Sequence, residues 1–382
     1  MWFFYLCCII PISIGLYFLY KNKSVIWQEW VGGSLAAFLL AAICHGIAII
    51  GMTNDVETWS GKVLKVSHHP EWVEHWVQTH SETYTSGTGN NQTTHTRTWT
   101  TDEYDTHYEH WIAHRDFGEI QDTIIIDKET YDYIAELFGN EIIKDGLQKF
   151  NKINGSFHKG DRNIYSVNNN TGYIVPATTI KTFDNRIKAS PTVFSFTKVP
   201  DDINIYDWPE NNNWMYSERL LGTAKEFIDL YKFDCMNSYL GPFKKVNVIM
   251  IGFDNEGSEY GLWQQSKWIG GKKNDLVLCF GGATKTTKPQ WAYVFGWTEN
   301  EIVKKNLESI LIDNIINDDI LPLIQKEIYK NYVIKDWSKF DYISIDPPTW
   351  SYVVFIIALI ISQTSFYVWF HKNEYNKCIW TL

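Results

Sequence analysis

The sequence lacks the short motifs that mark common catalytic sites. Its 382 residues contain no GxSxG nucleophile elbow, no HExxH zinc motif and no phosphate loop of the form GxxxxGKS or GxxxxGKT. It also lacks a long run of lysine or arginine, and its formal net charge is −10. Because an acidic chain of this kind attracts phosphate backbones weakly, nucleic acid is excluded as the main partner.

Cysteine is scarce between the two apolar ends of the chain. Four of the six cysteines lie in or beside those ends: Cys7, Cys8, Cys44 and Cys378. Only Cys235 and Cys279 remain, which is too few for a disulfide framework. These two can pair if their surroundings are oxidising, and the alternative is that each one fills a small space in a core.

Long apolar runs are present at residues 2–20, 30–52 and 350–370. Each run has about the 20 residues that a helix needs to cross a bilayer. A secretory signal peptide fits the first run poorly, because no lysine or arginine precedes it and no small-x-small cleavage site follows it. The sequence therefore predicts three transmembrane helices, two within residues 1–52 and the third at 349–371.

Positive charges indicate how these helices are oriented in the membrane. They flank the apolar runs at four positions: Lys21, Lys23, Lys372 and Lys377. Because positively charged loops remain in the cytoplasm, the first turn and the tail 372–382 are predicted to be cytoplasmic. Residues 53–348 then lie on the extracytoplasmic side of a membrane, which we expect to be a bacterial inner membrane. The composition, rich in Asn, Lys and Ile, is typical of AT-rich bacterial or phage genomes.

The second apolar run carries small residues at four-residue spacing, Gly33, Ala37 and Ala41. Small residues let helix backbones approach closely in lipid, so this face is predicted to pack against another span. His45 lies near the middle of the same run. An ionisable residue at this depth is a functional candidate. A neutral histidine bonded to a neighbouring helix is the favoured alternative, since no second ionisable residue is present for a proton relay.

Residues 53–130 are predicted to form a β-rich lobe dominated by His, Trp and Thr. Two alternating runs, 72–85 and 93–101, surround the turn-forming segment 86–91 and indicate a long hairpin. Thr, Trp and Tyr suit a pleated, half-exposed surface.

Eight of the eleven histidines lie between residues 68 and 114. His107, His110 and His114, helped by Glu109, form the best candidate trio for binding a divalent metal. On a single strand, His107 and His110 would point to opposite faces, so the trio needs a bend or a helix to converge. The favoured alternative is an amphipathic strand surface that binds no metal.

The rest of the extramembrane part is predicted to comprise a mixed connecting region, 131–215, and an α/β domain, 216–335. The second contains a helix that Ser217 caps and that runs to about residue 239. Three apolar strands follow, at residues 246–253, 276–280 and 291–297, together with three further helices, at about residues 257–267, 298–317 and 320–332. Alternation of helices and strands predicts an α/β sandwich.

Residues 217–332 resemble the TPM domain, the small α/β domain of thylakoid acid-phosphatase-like and related membrane-anchored bacterial proteins. The resemblance lies in the order of elements around the segment Trp268-Ile269-Gly270-Gly271. It implies a TPM-like sandwich held by transmembrane helices, and a metal-dependent phosphatase activity proposed for some relatives. The chain departs from the family pattern where Asn274-Asp275-Leu276 replaces the usual Asp-Asn-Gly.

Charged residues near the strands of this domain offer two further candidates. Asp254, Glu256 and Asp275 lie near the ends of adjacent strands, where α/β sheets place ligands, and they are a candidate cation site. The loop 270–273, with sequence GGKK, could bind an anion through its backbone N–H groups. A solvated turn is the favoured interpretation, because the loop precedes a strand and not a helix.

These features favour a membrane-anchored extracytoplasmic protein with a role in interaction, assembly or sensing. Its expected partners are the lipid bilayer and another membrane or envelope protein, including a second copy of itself. The alternative is a metal-dependent hydrolase of the phosphatase type in the TPM-like domain, with a divalent cation as cofactor. No catalytic constellation supports the alternative, so the sequence favours a protein that is not an enzyme. The fold expected is membrane-anchored α+β, with three transmembrane helices, a hairpin lobe and a sandwich lobe.

Overall fold

The computed structural model describes residues 2–17, 19–20, 27–89, 92–140, 142–147, 151–153, 156–160, 162–190, 193–194, 196–210, 214, 218–345, 347 and 349–373. They form a mixed α+β protein with two long apolar helices. Five residues named in the sequence arguments lie outside these ranges: Lys21, Lys23, Ser217, Lys377 and Cys378.

The α-helices of the described residues are α1 Trp2–Leu6, α2 Ile9–Tyr17, α3 Trp27–Thr53, α4 Lys128–Phe138, α5 Arg186–Ala189, α6 Ala224–Phe227, α7 Leu230–Lys244, α8 Glu259–Lys267, α9 Ile302–Asp313, α10 Leu321–Asn331 and α11 Thr349–Asn373. The strands are β1 Asn54–His69, β2 Trp72–Ser86, β3 Thr93–His107, β4 His110–Asp116, β5 Gln121–Ile126, β6 Ile142–Leu147, β7 Asn151–Ile153, β8 Ser156–His158, β9 Arg162–Asn168, β10 Pro176–Asp184, β11 Leu220–Gly222, β12 Asn247–Phe253, β13 Asp275–Gly281 and β14 Trp291–Gly296.

Two of the three predicted spans appear as helices long and apolar enough to cross a membrane, α3 and α11. The first apolar run instead forms two short helices, α1 and α2, with a turn at Cys7 and Cys8. Its apolar helical stretch, Phe4–Tyr17, is shorter than the ~20 residues that a perpendicular span requires. The structure therefore supports two candidate spans by length and composition, and the third predicted span is not shown.

The small-residue face of α3 packs against the other apolar helices, as predicted. Ala37 and Ala41 are fully buried and contact a cluster that includes Phe4 of α1 and Phe355 of α11. His45 Nδ1 lies 3.1 Å from the Tyr5 hydroxyl. The polar partner of His45 therefore comes from the first apolar run.

The first lobe contains a six-stranded antiparallel sheet in the order β5-β4-β1-β9-β6, and β10 pairs with the first half of β1. Helix α4 covers one face of this sheet, because Ile134 and Phe138 pack against Val63, Val66 and neighbouring residues. The side chain of Asp127 accepts a hydrogen bond from the Thr130 backbone and caps α4. The lobe is built around β1, which contacts most of the other strands.

The second lobe contains a four-stranded sheet in the order β11-β12-β13-β14, in which only β14 runs antiparallel to its neighbour. Alternate residues of β12 enter two cores. Val248 and Met250 face α7, α9 and α10, and Ile249 and Ile251 face the aromatic residues around α8. The sheet is thus buried on both sides, which gives the predicted α/β sandwich architecture.

The start of this lobe differs from the prediction. Residues predicted as one helix from 217 to 239 form β11, α6 and α7, and α7 continues past Pro242 to Lys244. Asp229 caps α7 through the backbone N–H of Lys232. The helix prediction was wrong here because residues 220–222 pair with β12. Pairing with a distant strand, and not the local periodicity, decides the structure of this segment.

The two cysteines between the apolar ends of the chain, Cys235 and Cys279, are both free in the structure. Cys279 is fully buried in the second core, and burial raises the pKa of its thiol. Cys279 therefore acts as a small core residue.

The two lobes meet where the first half of β1 packs against α7, and β1 also contacts β12. Arg219, 1% exposed, donates a hydrogen bond to Ser60 Oγ (2.8 Å) of β1 and lies 3.5 Å from Asp234 of α7. Asn274 Nδ2 donates to the Thr58 carbonyl (2.7 Å). The joint between the lobes is therefore polar and almost fully buried.

The predicted solvated turn at 270–273 takes part in this joint. Gly270 and Gly271 have positive φ angles, as a tight turn requires. The Lys272 ammonium pairs with the buried carboxylate of Asp55. Burial raises the pKa of Asp55, but hydrogen bonds from Lys272 and Asn185 outweigh that effect and lower it below its usual value. The turn therefore connects the lobes and is not merely solvated.

Asp234 gives this joint an expected pH dependence. Burial raises the pKa of Asp234 from 3.8 to about 6, against the attraction of Arg219. Between these values the folded protein holds the proton more tightly than the unfolded chain, so the free energy of unfolding falls as pH rises. Ionisation of Asp234 lowers the free energy of unfolding by about 3 kcal/mol at most, and this decrease is complete above pH ~6. Urea unfolding at pH 5 and pH 7 should show a drop for the parent protein that Asp234→Asn largely removes. An identical drop in both proteins would contradict the assignment.

Candidate functional site

Strands β2 and β3 form a two-stranded ribbon, paired from Trp72–His107 at its root to Ser86–Thr93 near its tip. Each strand has 15 residues, which corresponds to a length of about 50 Å at ~3.3 Å per residue. No residue of either strand is buried. A two-stranded hairpin is marginally stable on its own, so this ribbon needs support from the body of the protein or from a partner.

The two faces of the ribbon have different compositions. One face carries Ser and Thr along most of its length: Thr79, Ser81, Thr83, Thr85, Thr94, Thr96, Thr98 and Thr100. The other carries three cross-strand stacks of histidine on an aromatic ring, Trp72–His107, His80–Trp99 and Tyr84–His95. Such cross-strand pairs stabilise a sheet by about 0.2–1 kcal/mol each. These stacks therefore help to hold the two strands together.

The root of the ribbon is held by the segment that includes β8. His75 and Lys159 exchange two backbone hydrogen bonds, of 2.8 and 2.9 Å. The His158 ring stacks on Trp76 with a centroid distance of 4.7 Å. A Cβ at Gly160 would lie 2.5 Å from the Val73 carbonyl oxygen, so only glycine permits this close approach.

Four side chains that can ligate a metal meet at this root. Glu74 Oε2 lies 2.9 Å from His107 Nε2, and Asp105 Oδ2 lies 3.9 Å from the same nitrogen. Glu74 Oε1 lies 3.0 Å from His158 Nδ1. Ligand atoms of Glu74, Asp105 and His107 all lie within 4.8 Å of one another. The group offers carboxylate and imidazole donors on a surface that solvent can reach.

The predicted trio of His107, His110 and His114 is not brought together in this way. His110 donates from Nδ1 to the Tyr108 carbonyl (2.9 Å) and stacks on His69. His114 Nε2 bonds to Ser67 Oγ (2.9 Å). The two residues lie four positions apart on β4, about 13 Å along the strand.

Glu109, the residue expected to assist this trio, is bonded to a different histidine. Glu109 bonds to His68 (2.7 Å), and Ser67 Oγ also lies 3.2 Å from His69 Nε2. Burial, helped by the neighbouring histidines and Arg162, lowers the pKa of His69 to about 4, so its ring is neutral at pH 7. Burial also lowers the pKa of His114. These side chains form a hydrogen-bonded patch on the sheet.

The sheet of the second lobe separates the three predicted carboxylates. Asp254 and Glu256 follow the carboxyl end of β12, and Asp275 begins the parallel strand β13 at the opposite end. Seven residues of strand, about 20 Å, lie between these positions. Asp275 is fully buried and accepts hydrogen bonds from Asn247 (2.8 Å) and Trp208 (2.9 Å). These three residues therefore do not form one cation site.

The sequence reasoning found His107 but missed Glu74, Asp105 and His158. The register of the hairpin places Glu74 directly opposite Asp105. The predicted second strand ended at residue 101. If it had been extended to His107, the register set by the turn would have placed these two carboxylates together. No signal in the sequence connects His158 to the ribbon, because 51 residues separate it from His107.

Comparison of the chain with protein-family models, with curated proteins and with solved structures found no match.

Proposed function

We propose that this chain is a membrane-anchored assembly protein that joins a second copy of itself through the free edge of β3 and has no catalytic role. The observation that carries the proposal is the ribbon itself. Within the described residues, β3 pairs only with β2, so the outer edge of β3 presents unpaired backbone groups along 15 residues. Such an edge is a template for the addition of another strand.

The distribution of charge along β3 supports a second copy as the partner. His95 and Arg97 lie in the half near the tip, and Asp102, Glu103 and Asp105 lie in the half near the root. Antiparallel pairing of two β3 strands brings the tip of one opposite the root of the other. A register centred on Thr100 places Arg97 opposite Glu103 twice, once on each side of a two-fold axis. Symmetric contacts of this kind close into a dimer.

The membrane anchor in this proposal consists of α3 and α11, together with the first apolar run. Both long helices are mostly exposed in the isolated chain, with 11% and 17% of their apolar windows buried. Lipid would cover this surface, and the lysine pattern favours residues 53–348 outside a bacterial inner membrane. Anchoring two copies in one membrane raises their effective concentration, so a weak edge contact suffices for pairing.

A charge swap tests the proposed pairing. Glu103→Arg should weaken dimer formation by about tenfold, because it places like charges opposite each other at two symmetric positions. Adding Arg97→Glu should restore the dimer. The full chain in detergent would be measured by analytical ultracentrifugation over a range of concentrations. A parent protein that remains monomeric, or a swap that fails to recover association, would contradict the proposal.

Cysteine crosslinking tests the register itself. Thr100→Cys should form an intermolecular disulfide under oxidation, because the two Thr100 residues meet at the two-fold axis. Thr94→Cys lies on the same strand and face, but its counterpart in the second copy is 12 residues away along the strand in this register, about 40 Å. It should therefore crosslink no more than the parent protein, whose own free cysteines provide the background. Equal crosslinking at both positions would exclude this register.

A further inference from the structure

We propose that Glu74, Asp105 and His107 bind a divalent transition-metal ion, of the zinc class, at the root of the ribbon. This inference is independent of pairing between two ribbons, because all three residues belong to one hairpin. The site lies between Trp72 and Trp76, whose rings stack on His107 and His158 respectively. Imidazole together with carboxylate ligands suits Zn²⁺, Mn²⁺ or Fe²⁺ better than Mg²⁺ or Ca²⁺, which prefer oxygen alone.

The distances fit ligands that share one ion. Two atoms that each lie ~2.1 Å from a metal are about 3.0 Å apart at 90° and about 3.4 Å apart in a tetrahedron. Glu74 Oε2 and His107 Nε2 are 2.9 Å apart, and Asp105 Oδ2 is 3.9 Å from the same nitrogen. Both separations lie below the ~4.2 Å that opposite ligands of one ion would span. The side chains of His107 and Asp105 are 38% and 62% exposed, so small rotations can bring their ligand atoms to metal-binding distances.

The charges at this position also favour a cation. Glu74 and Asp105 are directly opposed across the ribbon, and like charges in that arrangement are destabilising. Glu74 is only 17% exposed, which makes its charge more costly. Among the described residues, no lysine or arginine forms an ion pair with either carboxylate. A bound metal ion would neutralise both.

His158 provides a second and independent observation. This residue is 9% exposed, and its Nδ1 atom, although 3.0 Å from Glu74 Oε1, has no partner in hydrogen-bonding geometry among the residues that the structure describes. Buried polar atoms are nearly always hydrogen-bonded, so an exception calls for a ligand. A metal ion bound to the carboxylate would account for this exception. We assign His158 as the residue that faces the metal-bound carboxylate from the body of the protein.

Metal binding would couple the ribbon to the body. His158 and Lys159 belong to the segment that holds the ribbon root, and His75 and Lys159 already exchange backbone hydrogen bonds there. An ion on Glu74 would fix the carboxylate that links His107 of the ribbon to His158. Histidines near metals are commonly oriented by carboxylates in this way. The direction in which the ribbon projects would then depend on metal.

The test is zinc binding by the full chain in detergent. After treatment with a chelator and its removal, equilibrium dialysis against Zn²⁺ should give about one tight site per chain. His107→Ala and Glu74→Gln should each lower zinc affinity by more than about 100-fold. Loss of a residue that only hydrogen-bonds to a metal ligand lowers affinity by up to about 100-fold, so direct ligands should exceed this. His80→Ala is the matched control, because His80 lies on the same face of the ribbon and also stacks on an aromatic ring, Trp99. It should leave zinc affinity unchanged.

A second set of variants separates this site from the other histidine cluster. His110→Ala combined with His114→Ala should leave zinc binding intact if the site is at the ribbon root. Zinc should also change the fluorescence of Trp72 and Trp76, and Trp76→Phe should reduce that change without abolishing binding. Absence of a tight site in the parent protein would overturn the proposal. So would zinc binding that survives His107→Ala or that is lost only in the His110/His114 variant.

Discussion

Replacing Arg219 by methionine is expected to lower the free energy of unfolding by about 3–5 kcal/mol, the usual cost of removing one partner from a buried ion pair. The guanidinium is 1% exposed and contacts both lobes, through Ser60 on β1 and Asp234 on α7. Without it, Asp234 is left as a buried carboxylate with no cation beside it. Burial already raises the pKa of Asp234 with Arg219 present, and it should rise further in the variant.

Urea unfolding of the full chain in detergent, followed by tryptophan fluorescence, measures this loss. The deficit of Arg219→Met should be larger at pH 8 than at pH 5, because protonation of Asp234 removes the uncompensated charge. Lys330→Met, at an exposed position of α10, is the control, and it should change stability by no more than about 0.5 kcal/mol. A loss below about 1 kcal/mol at pH 8 would show that Arg219 does not hold the lobes together.

Adding Asp234→Leu to Arg219→Met tests the cause of the loss. Replacing both members of a buried pair by apolar groups is often neutral or stabilising, whereas removing one is costly. The double variant should therefore recover much of the stability, and its free energy of unfolding should vary less with pH than that of either the parent or the single variant. Failure to recover would point to the Ser60 contact as the main contribution.

The sequence predicted the elements whose signal is local. Residues 246–253, 276–280 and 291–297 are short apolar runs between turn residues, and they coincide within one or two positions with β12, β13 and β14. The ridge at Ala37 and Ala41 was recognisable because close helix packing requires small residues at fixed spacing. In these segments hydrophobic pattern and tertiary environment agree, which makes local reasoning sufficient.

The sequence did not predict contacts that depend on distant pairing. The joint between the lobes involves Ser60, Arg219, Asp234 and Asn274, which are separated by up to 214 residues, and no local pattern connects them. The predicted helix that begins at Ser217 failed for the same reason, since β11 exists only through its pairing with β12. The first apolar run has the composition of a span, but the structure divides it into α1 and α2.

The candidate metal site was predicted only in part. Histidine density identified the right region and one correct residue, His107, but spacing along the chain suggested His110 and His114 as its partners. Register across the hairpin, and not spacing, brings Glu74 and Asp105 to His107. For Asp254, Glu256 and Asp275 the strands were predicted correctly, but Asp275 starts its strand while the other two follow theirs. Parallel strands place these positions at opposite ends of the sheet.

Gly241→Ala is expected to destabilise the joint between the lobes by about 1–3 kcal/mol, the usual cost of overpacking. A Cβ at Gly241 of α7 would lie 2.4 Å from the Ser60 carbonyl oxygen and 2.8 Å from Ser60 Cβ. Alanine favours a helix over glycine by about 1 kcal/mol, which opposes the loss. The steric effect should prevail, because the atom in contact is backbone of the central strand β1 and cannot rotate away.

Gly46→Ala is the control for this substitution, because Gly46 also lies within a helix and a Cβ there would meet no described atom of another element within 4 Å. It should leave the stability of the two lobes unchanged. Since a shift of Ser60 would also break its hydrogen bond with Arg219, the two substitutions act on one contact. Arg219→Met and Gly241→Ala together should therefore cost less than the sum of their separate effects. Additive losses would mean that the steric contact and the buried ion pair stabilise the joint independently.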